Sequence, residues 1–128
     1  MTAPVREKAI LVVDDQPELV AAITDMLRID GHQVDGAANG VIALAKLEAR
    51  TYDVILCDVR MPDLDGVAFH RELGRRHPRL VGHLVFIVGD VSLARTGSVL
   101  PEGVPVLSKP FRLADLRRAV AAAAGGAA

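Results

Sequence analysis

Five short apolar runs, separated by longer amphipathic stretches, constrain the fold more than any other feature of this chain. The first, Ala9–Val13, reads AILVV, a continuous run rich in branched side chains. A run of that length with no polar alternation suits a strand covered on both faces, as strands are inside a parallel sheet. Gln33–Ala37 reads as a weaker second strand, Val54–Cys57 as the third, Leu84–Val88 as the fourth and Val104–Leu107 as a short fifth.

Helical patterns lie between these runs. Pro17 sits where a first-turn proline belongs, and Val20, Ile23 and Leu27, flanked by Leu19 and Met26, form one apolar face. Gly31 stops that helix. Asn39 caps a second helix from Gly40 to Arg50, with apolar positions at Ile42, Ala45 and Leu47. Gly66–His77 is a third, carrying Phe69 and Leu73 and closed by Pro78. Residues 91–100 stay ambiguous because Gly97 weakens a helix there, and Leu113, Leu116 and Val120 mark the last helix. Strands that alternate with helices need right-handed crossovers. The predicted fold is therefore α/β: a doubly wound, five-stranded parallel sheet with helices on both faces. It forms one domain over residues 1–128, with a core of about 8–124 and flexible ends at 1–7 and 125–128. Such sheets bind ligands beyond the carboxyl ends of their strands, which directs attention to the residues after Val13, Cys57, Val88 and Leu107.

Composition removes several functional classes. Aromatic residues are 3% of the chain, too few for the stacking platforms of single-strand nucleic-acid binding. A formal net charge of -1 lacks the basic footprint of a DNA-binding domain, so no nucleic-acid partner is expected. One cysteine excludes an internal disulfide framework and a cysteine-based zinc site, and the four histidines show no metal-ligand spacing. No apolar run has the length of a membrane span, and Met1–Lys8 has no signal-peptide core, which makes a cytoplasmic location the expectation.

The expected strand ends carry charge. Asp14 and Asp15 follow the first strand, Asp58 the third, and Ser108, Lys109 and Pro110 the fifth. Three carboxylates crowded on one sheet edge repel one another in a partly dry site. A hard divalent cation relieves that repulsion, and oxygen ligands with exchangeable waters suit Mg²⁺. Such an ion and a lysine together neutralise an incoming phosphoryl group, leaving a carboxylate free to act as nucleophile.

Three segments now read together: VVDDQP (Val12–Pro17), VILCDVRMPDLDG (Val54–Gly66) and VLSKPF (Val106–Phe111). With Gly40 and Ala43 at the second helix entry, the chain resembles the receiver domain of two-component response regulators over roughly residues 8–124. The resemblance implies a CheY-like, flavodoxin-like (βα)5 fold. It makes Asp58 the phosphoacceptor and Asp14 and Asp15 the acidic pair that holds Mg²⁺, with the backbone carbonyl of Arg60 as a further metal ligand. Lys109 contacts the phosphoryl group, and a cis Lys109–Pro110 bond aims its ammonium into the site. The expected partners are a sensor histidine kinase or histidine phosphotransfer protein. A downstream protein would be met through Ser92–Leu100, Val104–Leu107 and Leu113–Val120. Since the last helix ends close to the chain terminus, no effector domain of its own is expected.

Two positions depart from the family pattern. The fourth strand usually ends in a hydroxyl residue, and here that position is Val88, followed by Gly89, which suits the small residue that lets a phosphoryl group approach. Three residues before the lysine, where an aromatic ring is usual, stands Val106. In the family the hydroxyl moves toward the phosphate and vacates space that the ring fills, so both halves of that switch are missing. In the family the positions of Arg60 and Asp90 flank the path of the hydrolytic water, so the resemblance implies a blocking pair or a phosphoryl contact from Arg60, with a plain surface ion pair as the other reading.

Other readings stay open. A degenerate receiver acting as a phosphorylation-independent interaction module is favoured by Val88 and Val106 and opposed by the intact acids and lysine. A hydrolase of the haloacid-dehalogenase kind needs a second aspartate two residues after the nucleophile, and that position is Arg60. The chain therefore reads as a signalling domain rather than an enzyme beyond its own phosphorylation and dephosphorylation. His70-Arg71-Glu72-Leu73 faintly resembles a phosphorylated histidine box, but a solvent-facing histidine is the plainer expectation. Arg71, Arg75, Arg76 and Arg79 read as cations favoured near a helix C-terminus, and Cys57 as a small core residue.

Overall fold

The computed structural model describes residues 7–60, 64–89 and 100–125. In chain order it contains β1 (Ala9–Val13), α1 (Pro17–Ile29), β2 (Gln33–Ala37), α2 (Gly40–Ala49), β3 (Val54–Asp58), α3 (Gly66–Arg76), a 3-10 helix (Pro78–His83), β4 (Leu84–Val88), β5 (Val106–Ser108) and α4 (Leu113–Ala124). The strands form one sheet in the order β2-β1-β3-β4-β5, and every pairing is parallel. The order reverses direction at β1, so the crevice between the carboxyl ends of β1 and β3 is the topological switch point where such sheets hold ligands.

The uninterrupted apolar strands follow from burial on both sides. Leu11, Val13, Ile55, Cys57, Phe86 and Val88 point into one core layer, where Ala43, Leu44 and Leu47 of α2 and Phe69 and Leu73 of α3 cover them. Their sequence neighbours Ile10, Val12, Val54, Leu56, Val85 and Ile87 point into the other, under Ile23 and Leu27 of α1 and Leu116 and Val120 of α4. Successive strand residues face opposite sides, so both layers draw on the same five-residue runs.

Local signals explain most boundaries. Pro17 opens α1, and Gly31 just beyond it adopts φ 87°, a left-handed conformation that glycine tolerates best. The Asn39 side chain accepts the Ile42 N–H at 2.8 Å to cap α2, and Asp65 accepts the Ala68 N–H at 2.8 Å to cap α3.

Three expectations need correction. The buried face of α2 is Ala43, Leu44 and Leu47, whereas Ile42 and Ala45 face solvent. That helix is apolar almost all round, so spacing alone did not choose its inward side; its first residue, Gly40, is pressed against Leu64. The fifth strand runs Val106–Ser108 rather than Val104–Leu107. Pro105 has no N–H to give and uses its carbonyl to accept from Phe86 at 2.9 Å, so regular pairing begins one residue later. His70 is half-buried rather than solvent-facing, its ring 6.2 Å from that of Phe86, and burial holds its pKa below the usual histidine value.

Candidate functional site

The site begins where β1 and β3 end. Asp14 is 1% exposed and Asp58 7% exposed, while Asp15 is exposed. One carboxylate oxygen from each lies within 4.8 Å of the others. The backbone fixes this grouping. The Asp14 N–H donates to the Ala37 carbonyl at 3.0 Å, which continues the β1–β2 ladder by one residue. The Val59 N–H donates to the Ile87 carbonyl at 3.2 Å, doing the same between β3 and β4. Asp14 Oδ1 accepts the Gln16 N–H at 2.8 Å, and Asp58 Oδ1 accepts the Arg60 N–H at 3.2 Å, so each buried acid turns the chain directly after its strand.

Lys109 enters from the far side of the sheet. Its N–H donates to the Val88 carbonyl at 2.7 Å, anchoring the end of β5 to the end of β4. Its Nζ stands 3.9 Å from Asp58 Oδ2. The Lys109–Pro110 peptide bond is cis. A mostly apolar recess of about 290 Å³ opens beside Asp14 and Asp15, walled by Pro17, Val20, Ala21 and Ala38.

Burial and charge act together on the acids. Burial pushes the Asp14 carboxyl from 3.8 up to about 6; the Gln16 N–H and Lys109 oppose this, and the charges of Asp58 and Asp15 add to it. Asp58 is also raised, chiefly by burial and further by Asp15, against the Arg60 N–H and Lys109. Two nearly buried carboxylates resist ionising side by side, which is what a cation in their midst would relieve. Asp14 Oδ2 is buried with no hydrogen-bond partner among the described residues. Orphaned buried acceptors are rare in folded proteins, and this one belongs to an acid grouped with two others within 4.8 Å, so the donor set fits a hard divalent ion.

The family model for the response regulator receiver domain matches residues 10–121. The chain belongs to the response regulator receiver family. This receiver is 32% identical over 110 residues to the response regulator receiver protein CpdR of Brucella abortus, covering 85% of the chain and 90% of CpdR. It is 32% identical over 108 residues to the transcriptional regulatory protein TcrA of Mycobacterium tuberculosis, there covering 84% of the chain but 42% of TcrA. Among solved structures, it superposes on the receiver domain of the sensor histidine kinase PA1611 from Pseudomonas aeruginosa with a TM-score of 0.82. That pair shares 32% identity over 94% of this chain and all of the other, and the Pseudomonas domain has a magnesium ion coordinated in its active site cleft. Chemotaxis protein CheY4 of Vibrio cholerae superposes with a TM-score of 0.79 at 25% identity, covering 92% of this chain and 99% of CheY4. The CheY-like parallel fold expected from the sequence is the one observed.

The receiver brings Asp14, Asp15, Asp58 and Lys109 to one sheet edge. Val88 is 3% exposed at the end of β4 and packs into the core layer under α2 and α3. Its register partner on β5 is Ser108, and Val106 on the same strand is 45% exposed. Arg60 is exposed; Asp90 and Ser92 to residue 99 lie outside the described residues, as do Met61 and Pro62. Cys57 is fully buried, and its Sγ donates to the Asp58 carbonyl at 3.4 Å. Among Arg71, Arg75, Arg76 and Arg79, Arg75 and Arg76 pair with Glu72 at 2.9 and 3.2 Å. What sequence reasoning missed is the contact of Leu64 with Gly40, which joins two loops distant in the chain. The signal available was a glycine at the first position of a helix, where nothing local requires one. No helix among the described residues is long and apolar enough to cross a membrane.

Proposed function

We propose that this receiver accepts a phosphoryl group on Asp58. The observation that carries the reading is Asp58 standing between two further carboxylates within 4.8 Å and the Lys109 ammonium at 3.9 Å. Asp14, Asp15, Asp58 and the Arg60 carbonyl would hold Mg²⁺, and the ion would supply positive charge for the phosphoryl oxygens. A carboxylate oxygen of Asp58 forms the new bond to phosphorus while the bond from phosphorus to the donor's leaving group breaks, and the leaving group departs with its electron pair. Lys109, whose Nζ stands 3.9 Å from Asp58 Oδ2, offsets the charge on the transferred group. Gly89, next to Val88, leaves room for the group to approach. The donor is a sensor histidine kinase or a histidine phosphotransfer protein, in the cytoplasm. Output passes through protein contact over Ser92–Leu100, Val104–Leu107 and Leu113–Val120, with no nucleic acid or membrane involved.

A second reading rests on the valines. With no hydroxyl at Val88 and no ring at Val106, the domain is a degenerate receiver whose contacts do not depend on phosphate. One experiment separates the two. The protein is incubated with Mg²⁺ and acetyl phosphate, and its intact mass is recorded for wild type and Asp58→Asn. A phosphate adduct in the wild type alone supports phosphorylation on Asp58; no adduct together with no Mg²⁺ binding supports the second reading.

A further inference from the structure

The turn between β2 and α2 carries none of the acids, yet it touches the loops that do. At one end Ala37 accepts the Asp14 N–H at 3.0 Å. Three residues on, Gly40 is buried at the start of α2. A Cβ on Gly40 would lie 2.8 Å from Leu64 Cδ2 and 3.2 Å from both Cγ and Cβ of the same side chain. Rotating the tip of Leu64 relieves the shortest approach but not the two nearer the backbone, so a methyl at Gly40 must push the chain at Leu64 itself. That chain has little freedom to yield. Two residues further, Gly66 lies so close to β3 that its own Cβ would meet Val59 Cα at 2.7 Å and the Asp58 carbonyl oxygen at 2.9 Å. The Gly66 N–H also donates to the Val59 carbonyl at 2.9 Å. Leu64 thus meets Gly40 through its side chain, and two residues on Gly66 meets the end of β3.

We propose that Gly40 is a positioning residue: its missing side chain lets Leu64 seat against α2, and this contact, carried through Gly66, sets where Asp58 and Val59 lie relative to Asp14 and Asp15. The inference rests on the metal-binding reading above. Arg60, whose N–H holds Asp58 Oδ1, directly follows Val59, which Gly66 touches. Displacing that segment by a few tenths of an ångström moves ligands supplied by β3 against those supplied by β1. Alanine ordinarily favours a helix over glycine, so Gly40→Ala should not weaken α2 through propensity. Any loss comes from the crowded contact.

The test is a double-mutant cycle on metal affinity, with Mn²⁺ as the probe and free ion counted by electron paramagnetic resonance. Changes to residues that orient metal ligands cost about 10–100-fold in affinity, and a sub-ångström shift should cost roughly three- to tenfold. Gly40→Ala is expected to weaken Mn²⁺ binding by that factor in the presence of Leu64. In a Leu64→Ala background the same change should cost at most half as much on a logarithmic scale, because Cγ and Cδ2 are gone and only the Cβ contact at 3.2 Å remains. Gly40→Ala/Leu64→Met, with an unbranched side chain that can turn its end away but keeps Cβ and Cγ, should recover only part of the loss, and it also probes the contact if Gly40→Ala alone folds poorly. Ile42→Ala, on the exposed side of the same helical turn, should change nothing. Unchanged affinity in Gly40→Ala overturns the proposal, as does an equal loss whichever residue stands at 64. If the wild type itself binds no Mn²⁺, the metal-binding reading fails first and this one falls with it.

Discussion

The two halves of the sheet's carboxyl edge are built on opposite principles. Where β1 and β3 end, the structure accumulates unmet electrostatic demand: three carboxylates within 4.8 Å, two of them nearly buried, and a buried oxygen of Asp14 without a partner among the described residues. Where β4 and β5 end, the demand is already met. Val88 is packed into the core, Val106 is half-exposed, and the backbone groups of Val88 and Lys109 satisfy each other. On the proposed function the first region takes up a charged ligand; among the described residues, the second offers that ligand the Lys109 ammonium. On the proposed function, the capacity to be phosphorylated and the means of reporting it are therefore separable in one small fold.

The sharpest way to break the comparison is to remove the one group the two regions share. Lys109→Ala should leave Mn²⁺ binding within about twofold and slow phosphorylation by acetyl phosphate by about 100-fold, the scale of losing one preorganised charge contact to a transferring group. Time-resolved intact mass gives the rate. An equal loss of metal binding and phosphorylation would show that the two regions are not independent.

The next largest effect concerns the unmet demand itself. The Asp14 carboxyl is raised from 3.8 to about 6, so the folded protein holds that proton more tightly than the unfolded chain does. This contribution to stability is fully present below about pH 4 and is lost as pH rises through about 6. Metal-free protein should lose up to about 3 kcal/mol from this source between those limits. Asp14→Asn, neutral and nearly the same shape, should flatten that pH dependence and raise the melting temperature near pH 7.5 while abolishing tight Mg²⁺ binding. Added Mg²⁺ should raise the melting temperature of the wild type in the same buffer. A variant no more stable than wild type without metal would mean that the acidic cluster carries little strain.

How much of this was legible in the sequence depends on whether the cause was local. The strands were readable because burial on both faces leaves uninterrupted apolar runs such as AILVV, and parallel topology then put the residues after those runs on one edge. Asp14, Asp15, Asp58 and Lys109 could be picked out for that reason. The buried side of α2 could not, because GVIALAKLEA is apolar on most sides and its first residue meets Leu64, which is distant in sequence. The start of β5 was misplaced because an apolar pattern does not register that Pro105 lacks an N–H. The raised Asp14 carboxyl and its orphaned oxygen depend on burial by residues far away in the chain, so no local pattern announces them.

The β4–β5 half can be sharpened by giving it what it lacks. Val88→Thr places a hydroxyl in a nearly buried site and should lower the stability of the unphosphorylated protein by about 1–2 kcal/mol, the cost of an unpartnered polar group. In return, a charge-assisted hydrogen bond to a phosphoryl group is worth roughly 1.5–3 kcal/mol, enough to bias a two-state loop by about ten- to a hundredfold. Val88→Thr/Val106→Tyr should therefore show beryllofluoride-induced amide shifts at Gly89, Val106 and Leu107 that are larger than those of the wild type. Equal shifts in both proteins would mean that the native valines already support the motion, and the contrast between the two regions would be lost.

The smallest effect expected is on the lifetime of the phosphoryl group, through Arg60. Its backbone N–H is committed to Asp58 Oδ1 at 3.2 Å, while its side chain is exposed beside the site. Two outcomes separate its roles. If the guanidinium contacts the phosphoryl group or screens the path of attacking water, Arg60→Ala should shorten the phosphate half-life, by about two- to tenfold for an interaction worth roughly 0.5–1.5 kcal/mol. If it is an ordinary surface cation, its worth is at most about 1 kcal/mol and is spent on solvent-screened pairs, leaving the half-life unchanged. The backbone contact survives the substitution, so metal affinity should hold in either case, and a change there would point to a shifted backbone rather than a lost side chain. A shortened half-life that is insensitive to salt would place Arg60 on the phosphoryl group and supply, from β3, part of the grip that Val88 cannot give from β4.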